Sequence, residues 1–229
     1  HGCPDHIFPN WFATFQDKSM QIFSMKALNR RAEKIPSMIK NLETKYKLVD
    51  NLTPYEEKGI FLESTSSMVF DRVNMIAYIG KSVRTNENLA REWCSKNGFE
   101  IVIFETTSHR NNPIYHTDVL MFVGTDMIGL CDEVINDDYK EEVLSRAQKY
   151  HDVMLLTKDQ ILDFCGNALE ARNNKDEKYL IMSSRAQKSL TSSQMVKIEK
   201  YYKDIIHADI STIEKYGGGS ARCMLTELF

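Results

Sequence analysis

Residues 67–107, "SMVFDRVNMIAYIGKSVRTNENLAREWCSKNGFEIVIFETT", carry the pattern from which the fold follows. "SMVFDRVNMIAYIG" reads as two apolar strands that turn at Arg72–Asn74, where polar residues interrupt the run. "NENLAREWCSKNG" reads as a helix that Gly98 stops, and "FEIVIFETT" reads as a third strand. The unit is strand–strand–helix–strand.

The same order recurs on both sides. Downstream, "HTDVLMFVG" (116–124) and "MIGLCDEVI" (127–135) read as two strands. "DDYKEEVLSRAQKYH" (137–151) is a helix with acids first and bases last, as the helix dipole favours. "DVMLLT" (152–157) returns as a strand. A third round gives "CGNALEAR" (165–172) and "KYLIMSS" (178–184), then a helix through "SQMVKIEKYYKDII" (193–206). "ARCMLTELF" (221–229) closes as a final strand. Upstream, "MQIFSM" (20–25), "YKLVDN" (46–51) and "GIFLES" (59–64) read as strands. "NRRAEKIPSMIKNLETKY" (29–46) reads as an amphipathic helix broken or entered at Pro36. A period of roughly 45–55 residues signals a repeated α/β architecture. Such units fit either one doubly wound sheet or a radial arrangement of blades. No linker rich in Pro, Gly or Ser interrupts the chain, so residues 1–229 read as one domain.

Composition narrows the function classes. The chain has 229 residues, a formal net charge of −3 and a hydrophobic fraction of 42%, enough for a core of useful size. Basic residues are neither dominant nor clustered, which speaks against nucleic-acid binding. No apolar run reaches the roughly 18–20 residues of a membrane span, and no signal peptide is visible. The five cysteines, Cys3, Cys94, Cys131, Cys165 and Cys223, are odd in number, widely spaced and without a CxxC pair. That pattern argues for reduced thiols in a cytoplasmic compartment, against a disulfide framework and against a zinc site.

Several polar residues stand where apolar ones are expected. Glu63 follows an apolar pair in "FLESTSSMVF". His116 and Asp118 stand two apart at the mouth of a buried strand, and period two would send both to one face. Asp5 and Asn10 flank an apolar and aromatic run in "CPDHIFPNWF". Three glycines, Gly217 to Gly219, precede Cys223 in "GGGSARCM", which suggests an access route to a sulfur atom. A thiol that attacks must first lose its proton, and a neighbouring imidazole can take it and later return it. A carboxylate orients the imidazole, and further carboxylates can grip a planar cationic or ureido group. Cys223, His116, Glu63, Asp118 and Asp5 could supply those parts, although sequence spacing alone does not bring them together.

"FLESTSSMVFDRVNMIAYIGKSVRT", "HTDVLMFVG", "FCGNALE", "MSSRAQKSL" and "IEKYGGGSARCMLTELF" resemble, in order, the guanidino-group-modifying or pentein superfamily. The resemblance points to its arginine deiminase-related amidinotransferase branch, which includes citrulline ureidases. It implies a five-bladed α/β propeller of ββαβ units with a central site. It implies Cys223 as the nucleophile, His116 as the general acid/base, and Glu63 as the residue that orients His116 or the substrate nitrogen. Asp118 and Asp5 would bind the substrate's terminal nitrogens, with Asn10 beside them. Arg84 would pair with the α-carboxylate, assisted by Arg30 or Arg31, and Gly218 and Gly219 would border the substrate. The implied reaction is hydrolysis of a guanidino or ureido amino acid, citrulline to ornithine first. Arginine deimination, amidinotransfer and a ligand-binding pseudoenzyme remain the alternatives. No metal or organic cofactor is implied.

Three departures bear on that expectation. The family's "LEGTGS" is here "LESTSS", with Ser64 and Ser66 in place of glycines. The family's "FPNNW" is "FPNW", and the strand and helix it carries upstream of "PD" are absent, since the chain opens on His1 in mid-motif. The expectation is therefore an incomplete first blade with an exposed edge, favouring a homo-oligomer.

Overall fold

A computed structural model describes residues 2–107 and 113–229. The described residues form four three-stranded sheets of one topology. In each, the first two strands pair antiparallel and the third joins the second in parallel after a helical crossover. The sheets are β1 (Phe12–Thr14), β2 (Ser19–Ile22) and β3 (Lys47–Asn51); β4 (Met68–Asp71), β5 (Ile76–Gly80) and β6 (Glu100–Phe104); β7 (Met121–Val123), β8 (Met127–Leu130) and β9 (Asp152–Leu155); and β10 (Leu169–Arg172), β11 (Lys178–Ser183) and β12 (Asp204–Ala208). Parallel strands need a crossover, and the sequence supplies one in every unit.

The second sheet shows how local chemistry sets the pattern. The Asp71 carboxylate accepts the backbone N–H of Val73 at 3.1 Å and of Asn74 at 3.0 Å, which closes the β4–β5 hairpin at the expected turn. Asn86 accepts the Leu89 N–H at 3.0 Å and starts the helix Glu87–Asn97, and Gly98 ends it in a left-handed conformation. Trp93 on that helix stacks on Phe70 and Phe99, so the crossover buries its apolar face over the sheet. The first strands of successive units lie side by side, β4 with β7 and β7 with β10. The chain is thus a series of separate small sheets and not one doubly wound sheet.

Several sequence expectations are corrected. Four sheets are present among the described residues, and the fifth blade of the expectation is not seen among them. The first of these sheets, β1 to β3, matches the other three in strand number and pairing. "GIFLES" is no strand; Leu62 makes isolated bridges, and Ser64 takes φ +46°, which breaks the extended run into the short helix Ser64–Ser67. The 193–206 helix ends at Glu199, because the β-branched pair Ile205–Ile206 is taken into β12 opposite Leu180–Ile181. The 29–46 stretch does break at Pro36 as expected, into the short helices Leu28–Arg31 and Pro36–Leu42. "ARCMLTELF" is also no strand. It makes a 3-10 turn at Arg222–Met224, and its end is tied to β1, the β1–β2 turn and the β4–β5 turn by Thr14 Oγ1 to the Glu227 carbonyl (2.7 Å), Lys18 Nζ to the Phe229 carbonyl (2.5 Å) and Arg72 to Glu227 (2.8 Å).

No helix among the described residues is long and apolar enough to cross a membrane. Four cysteines, Cys94, Cys131, Cys165 and Cys223, are buried thiols outside any disulfide.

Candidate active site

A cavity of about 260 Å³ gathers Asp5, Asn10, Arg30, Arg84, His116, Gly218, Gly219 and Cys223. These residues come from five separate stretches of sequence. Among the described residues, no group of His, Cys, Asp and Glu has the form of a metal site.

The histidine and its carboxylate form the best-defined part. His116 Nε2 and Glu63 Oε2 are 2.7 Å apart, and both side chains are buried. Glu63 Oε1 accepts the Lys26 N–H at 2.9 Å, and Arg84 Nη1 lies 3.3 Å from Oε2. Burial by itself raises the pKa of Glu63, but the His116 hydrogen bond and charge, the Arg84 charge and the Lys26 N–H outweigh it and hold the pKa at about 2. An ionised carboxylate only accepts, so Nε2 donates and Nδ1 is left for proton exchange. The loops that carry this pair are fastened together. Thr117 Oγ1 donates to the Ser67 carbonyl at 2.6 Å and accepts the Gly80 N–H at 2.8 Å. The Ser67 hydroxyl accepts the Glu63 N–H at 3.1 Å.

Cys223 stands on the 3-10 turn after the glycines and is 5% exposed. Burial, then the charge of Asp118, push its thiol well above the ordinary range. Its Sγ lies 3.5 Å from Asp118 Oδ2 and 3.1 Å from Asn167 Nδ2. Gly219 makes this approach possible: a Cβ there would sit 2.9 Å from Phe8 Cε1 and 3.2 Å from Cys223 Cβ. The Gly218 carbonyl accepts the Tyr115 hydroxyl at 2.7 Å, which ties the glycine turn to the residue before His116.

Asp118 departs from the sequence reading. The segment is extended at His116 but turns into a 3-10 helix at Thr117–Val119, so period two does not hold. His116 lines the cavity with Cys223, while Asp118 lines a separate cavity of about 140 Å³ with Arg72, Arg222 and Glu227. Its Oδ1 is buried without a hydrogen-bond partner, and burial raises its pKa against the charges of His116 and Arg222.

The arginines separate as well. Arg30 borders the cavity, held by the Phe8 carbonyl and by Glu33 at 2.8 Å. Arg31 does not border it; its guanidinium donates to the Met25 carbonyl at 2.9 Å and lies over the Phe61 ring. Arg84 borders the cavity with its guanidinium over the Tyr115 ring. Asp5 Oδ2 accepts Asn29 Nδ2 at 3.0 Å. Of the two serines that replace glycines, Ser64 has the positive φ, and its hydroxyl donates to the Phe12 carbonyl at 3.0 Å. Ser66 lies in the helix Ser64–Ser67, buried. Sequence reasoning missed Asn167, whose signal was a polar residue between apolar ones in "FCGNALE", and Tyr115 and Phe8, which carry no polar signal beyond their rings.

The family model described as "N,N dimethylarginine dimethylhydrolase, eukaryotic" matches residues 1–229. The chain belongs to that family, within the guanidino-modifying pentein superfamily. Solved structures share the fold. ArgZ, an arginine dihydrolase from the ornithine–ammonia cycle in cyanobacteria, superposes with a TM-score of 0.76 at 14% identity, over 98% of this chain and 33% of that one. Its N-terminal domain bound to substrate gives 0.76 at 15% identity, over 97% of this chain and 75% of that one. The dimethylarginine dimethylhydrolase of Pseudomonas aeruginosa with citrulline gives 0.67 at 15% identity, over 97% and 76%. The chain thus spans a third of full-length ArgZ and three quarters of its N-terminal domain. No curated protein matches the chain by sequence.

Proposed function

We propose that the chain hydrolyses the guanidino group of arginine or an Nω-substituted arginine, through a covalent intermediate on Cys223. The observation that carries this reading is the shared cavity: a cysteine, a histidine with an ionised carboxylate partner, a further carboxylate and two arginines border one space of about 260 Å³. The family and its arginine-processing structural neighbours support the substrate class.

Substrate would enter with its planar head against Cys223 and Asp5 and its α-carboxylate toward Arg84 or Arg30. Neutral Nδ1 of His116 takes the Cys223 proton as Sγ forms a bond to the central guanidino carbon. One C–N bond then breaks as His116, protonated at Nδ1, gives its proton to the leaving amine. A thiouronium remains on sulfur. Neutral Nδ1 next takes a proton from water, whose oxygen attacks the same carbon, and the C–S bond breaks to return the thiolate and release a ureido product. Glu63 keeps its charge throughout and steadies the imidazolium.

A second reading keeps the fold and the cysteine but takes a ureido substrate, citrulline to ornithine. It is favoured by the burial of Asp118, which raises its pKa and so disfavours a negative charge beside Cys223; a neutral ureido head needs less negative charge than a guanidinium. Product identification by mass spectrometry tests both. The purified chain is incubated separately with arginine, asymmetric dimethylarginine and citrulline, beside Cys223→Ala. Citrulline from either guanidino substrate, absent in the variant, supports the first reading. Ornithine from citrulline supports the second. No Cys223-dependent product from any of the three overturns both.

A further inference from the structure

We propose that Asn167 is a positioning residue for the nucleophile, holding a side-chain N–H on Cys223 Sγ in the arrangement that a thiolate accepts. The inference rests on the reading of Cys223 as nucleophile.

The orientation of the Asn167 amide is fixed by two backbone groups that cannot exchange roles. The Asp118 carbonyl only accepts, and Asn167 Nδ2 lies 2.9 Å from it. The Cys223 N–H only donates, and Asn167 Oδ1 lies 3.2 Å from it. With both ends set, Nδ2 has one N–H left, and Cys223 Sγ stands 3.1 Å away. A thiol sulfur is a weak acceptor, whereas a thiolate is a charged one. The bond therefore strengthens when the proton leaves. Asn167 is 0% exposed, so water does not compete for it.

The surrounding chain is built to deliver this side chain. Asn167 lies in the turn before β10, closed by its own N–H on the Phe164 carbonyl at 2.9 Å. Gly166 packs against the segment that follows His116: a Cβ there would stand 2.3 Å from the Val119 carbonyl oxygen. Any larger residue would lift the turn and draw Asn167 off the sulfur. The Arg222 N–H points at the Asn167 carbonyl at 3.4 Å, on the residue beside the cysteine. One asparagine thus joins the histidine segment, through Asp118, to the cysteine turn. Its N–H counters the two features that disfavour a thiolate here, burial and the neighbouring Asp118 carboxylate.

The test reads the thiol without substrate. Alkylation of Cys223 by iodoacetamide is followed against pH by peptide mass spectrometry, in wild type, Asn167→Leu and Asn167→Asp, with circular dichroism reporting the fold. The midpoint is expected to rise by about one to two pH units in Asn167→Leu, as for loss of a charge-assisted hydrogen bond, and at least as far in Asn167→Asp. An unchanged midpoint in a folded variant overturns the proposal. Should neither variant fold, the wild type decides: the Asn167 side-chain amide protons are expected to shift in NMR spectra along the same pH curve as the alkylation. A flat signal through that curve overturns the proposal. Because neither readout needs turnover, a chain inactive on every substrate but with these shifts contradicts only the proposed activity. A chain that turns substrate over without the shifts contradicts only the role of Asn167.

Discussion

Glu63 and His116 are joined by a 2.7 Å hydrogen bond in a place that water does not reach, and Arg84 stands 3.3 Å from the same carboxylate oxygen. The pair sets both the tautomer of the histidine and a pH dependence of stability. The Glu63 pKa falls from an ordinary 4.5 to about 2 in the folded chain. Its contribution is therefore fully present above pH 4.5 and is lost as pH falls toward 2. Glu63→Gln is expected to lower unfolding free energy at pH 7 by about 3 kcal/mol, following the size of that shift. The gap to wild type is expected to shrink below pH 4.5. Urea unfolding at pH 7 and pH 3 checks both signs.

The same substitution is expected to lower kcat about 100-fold or more, since an orienting carboxylate acts on the transition state and not on substrate binding. Steady-state kinetics that show a raised KM with kcat unchanged would assign Glu63 to binding instead.

Asp118 has the opposite balance. Burial raises its pKa, and one oxygen has no partner. A carboxyl whose folded pKa lies above its unfolded one loses stability as pH rises through that window. Asp118→Asn is expected to be as stable as wild type or more so at pH 7, by about 1–2 kcal/mol, with the advantage vanishing at acid pH. Activity is expected to fall in the same variant if the carboxylate meets substrate when the site is occupied. Thermal unfolding against pH, beside turnover, separates the two effects.

Gly219 is the tightest point near the sulfur. In Gly219→Ala the new methyl would meet Phe8 Cε1 at 2.9 Å and Cys223 Cβ at 3.2 Å. A stability loss of about 1–3 kcal/mol is expected from overpacking. Alkylation of Cys223 is expected to slow more than the global loss accounts for, because the turn that carries the thiol must move.

Ser64 tests whether the departure from glycine is harmful. Its φ of +46° costs about 1–2 kcal/mol for a residue with a Cβ. Its hydroxyl returns about 1 kcal/mol through the bond to the Phe12 carbonyl. Ser64→Gly is therefore expected to change stability by less than about 1 kcal/mol, in either direction. A gain well beyond that, with a rise in turnover, would mark the serine as an impairment.

The sequence made the repeating unit legible because its signals are local. The Arg72–Asn74 turn and the Gly98 stop each act within a few residues, and the structure places both where expected. The endings were less legible because they depend on distant partners. The "ARCMLTELF" segment has a strand-like composition, but no strand among the described residues pairs with it, and side chains from β1 and the neighbouring turns hold it instead. The site follows the same division. Cys223, His116 and Asp5 border one cavity, Glu63 stands behind His116, and their sequence distance concealed only the geometry. The same-face reading of His116 and Asp118 failed because a 3-10 turn at Thr117–Val119 changes the period from two to three within a single residue pair, although Asp118 Oδ2 still stands 3.5 Å from Cys223 Sγ. Asn167 was overlooked because its partners are backbone groups 49 and 56 residues away.

The central claim is that Cys223 forms a bond to the substrate's guanidino carbon. The direct measurement is intact-protein and peptide mass spectrometry after acid quench of the chain mixed with arginine or asymmetric dimethylarginine. The account predicts a mass gain on the Cys223 peptide that matches the amidino-linked amino acid, appears before product and is absent in Cys223→Ala. Product formed with no adduct at any quench time, and undiminished in Cys223→Ala, would contradict it.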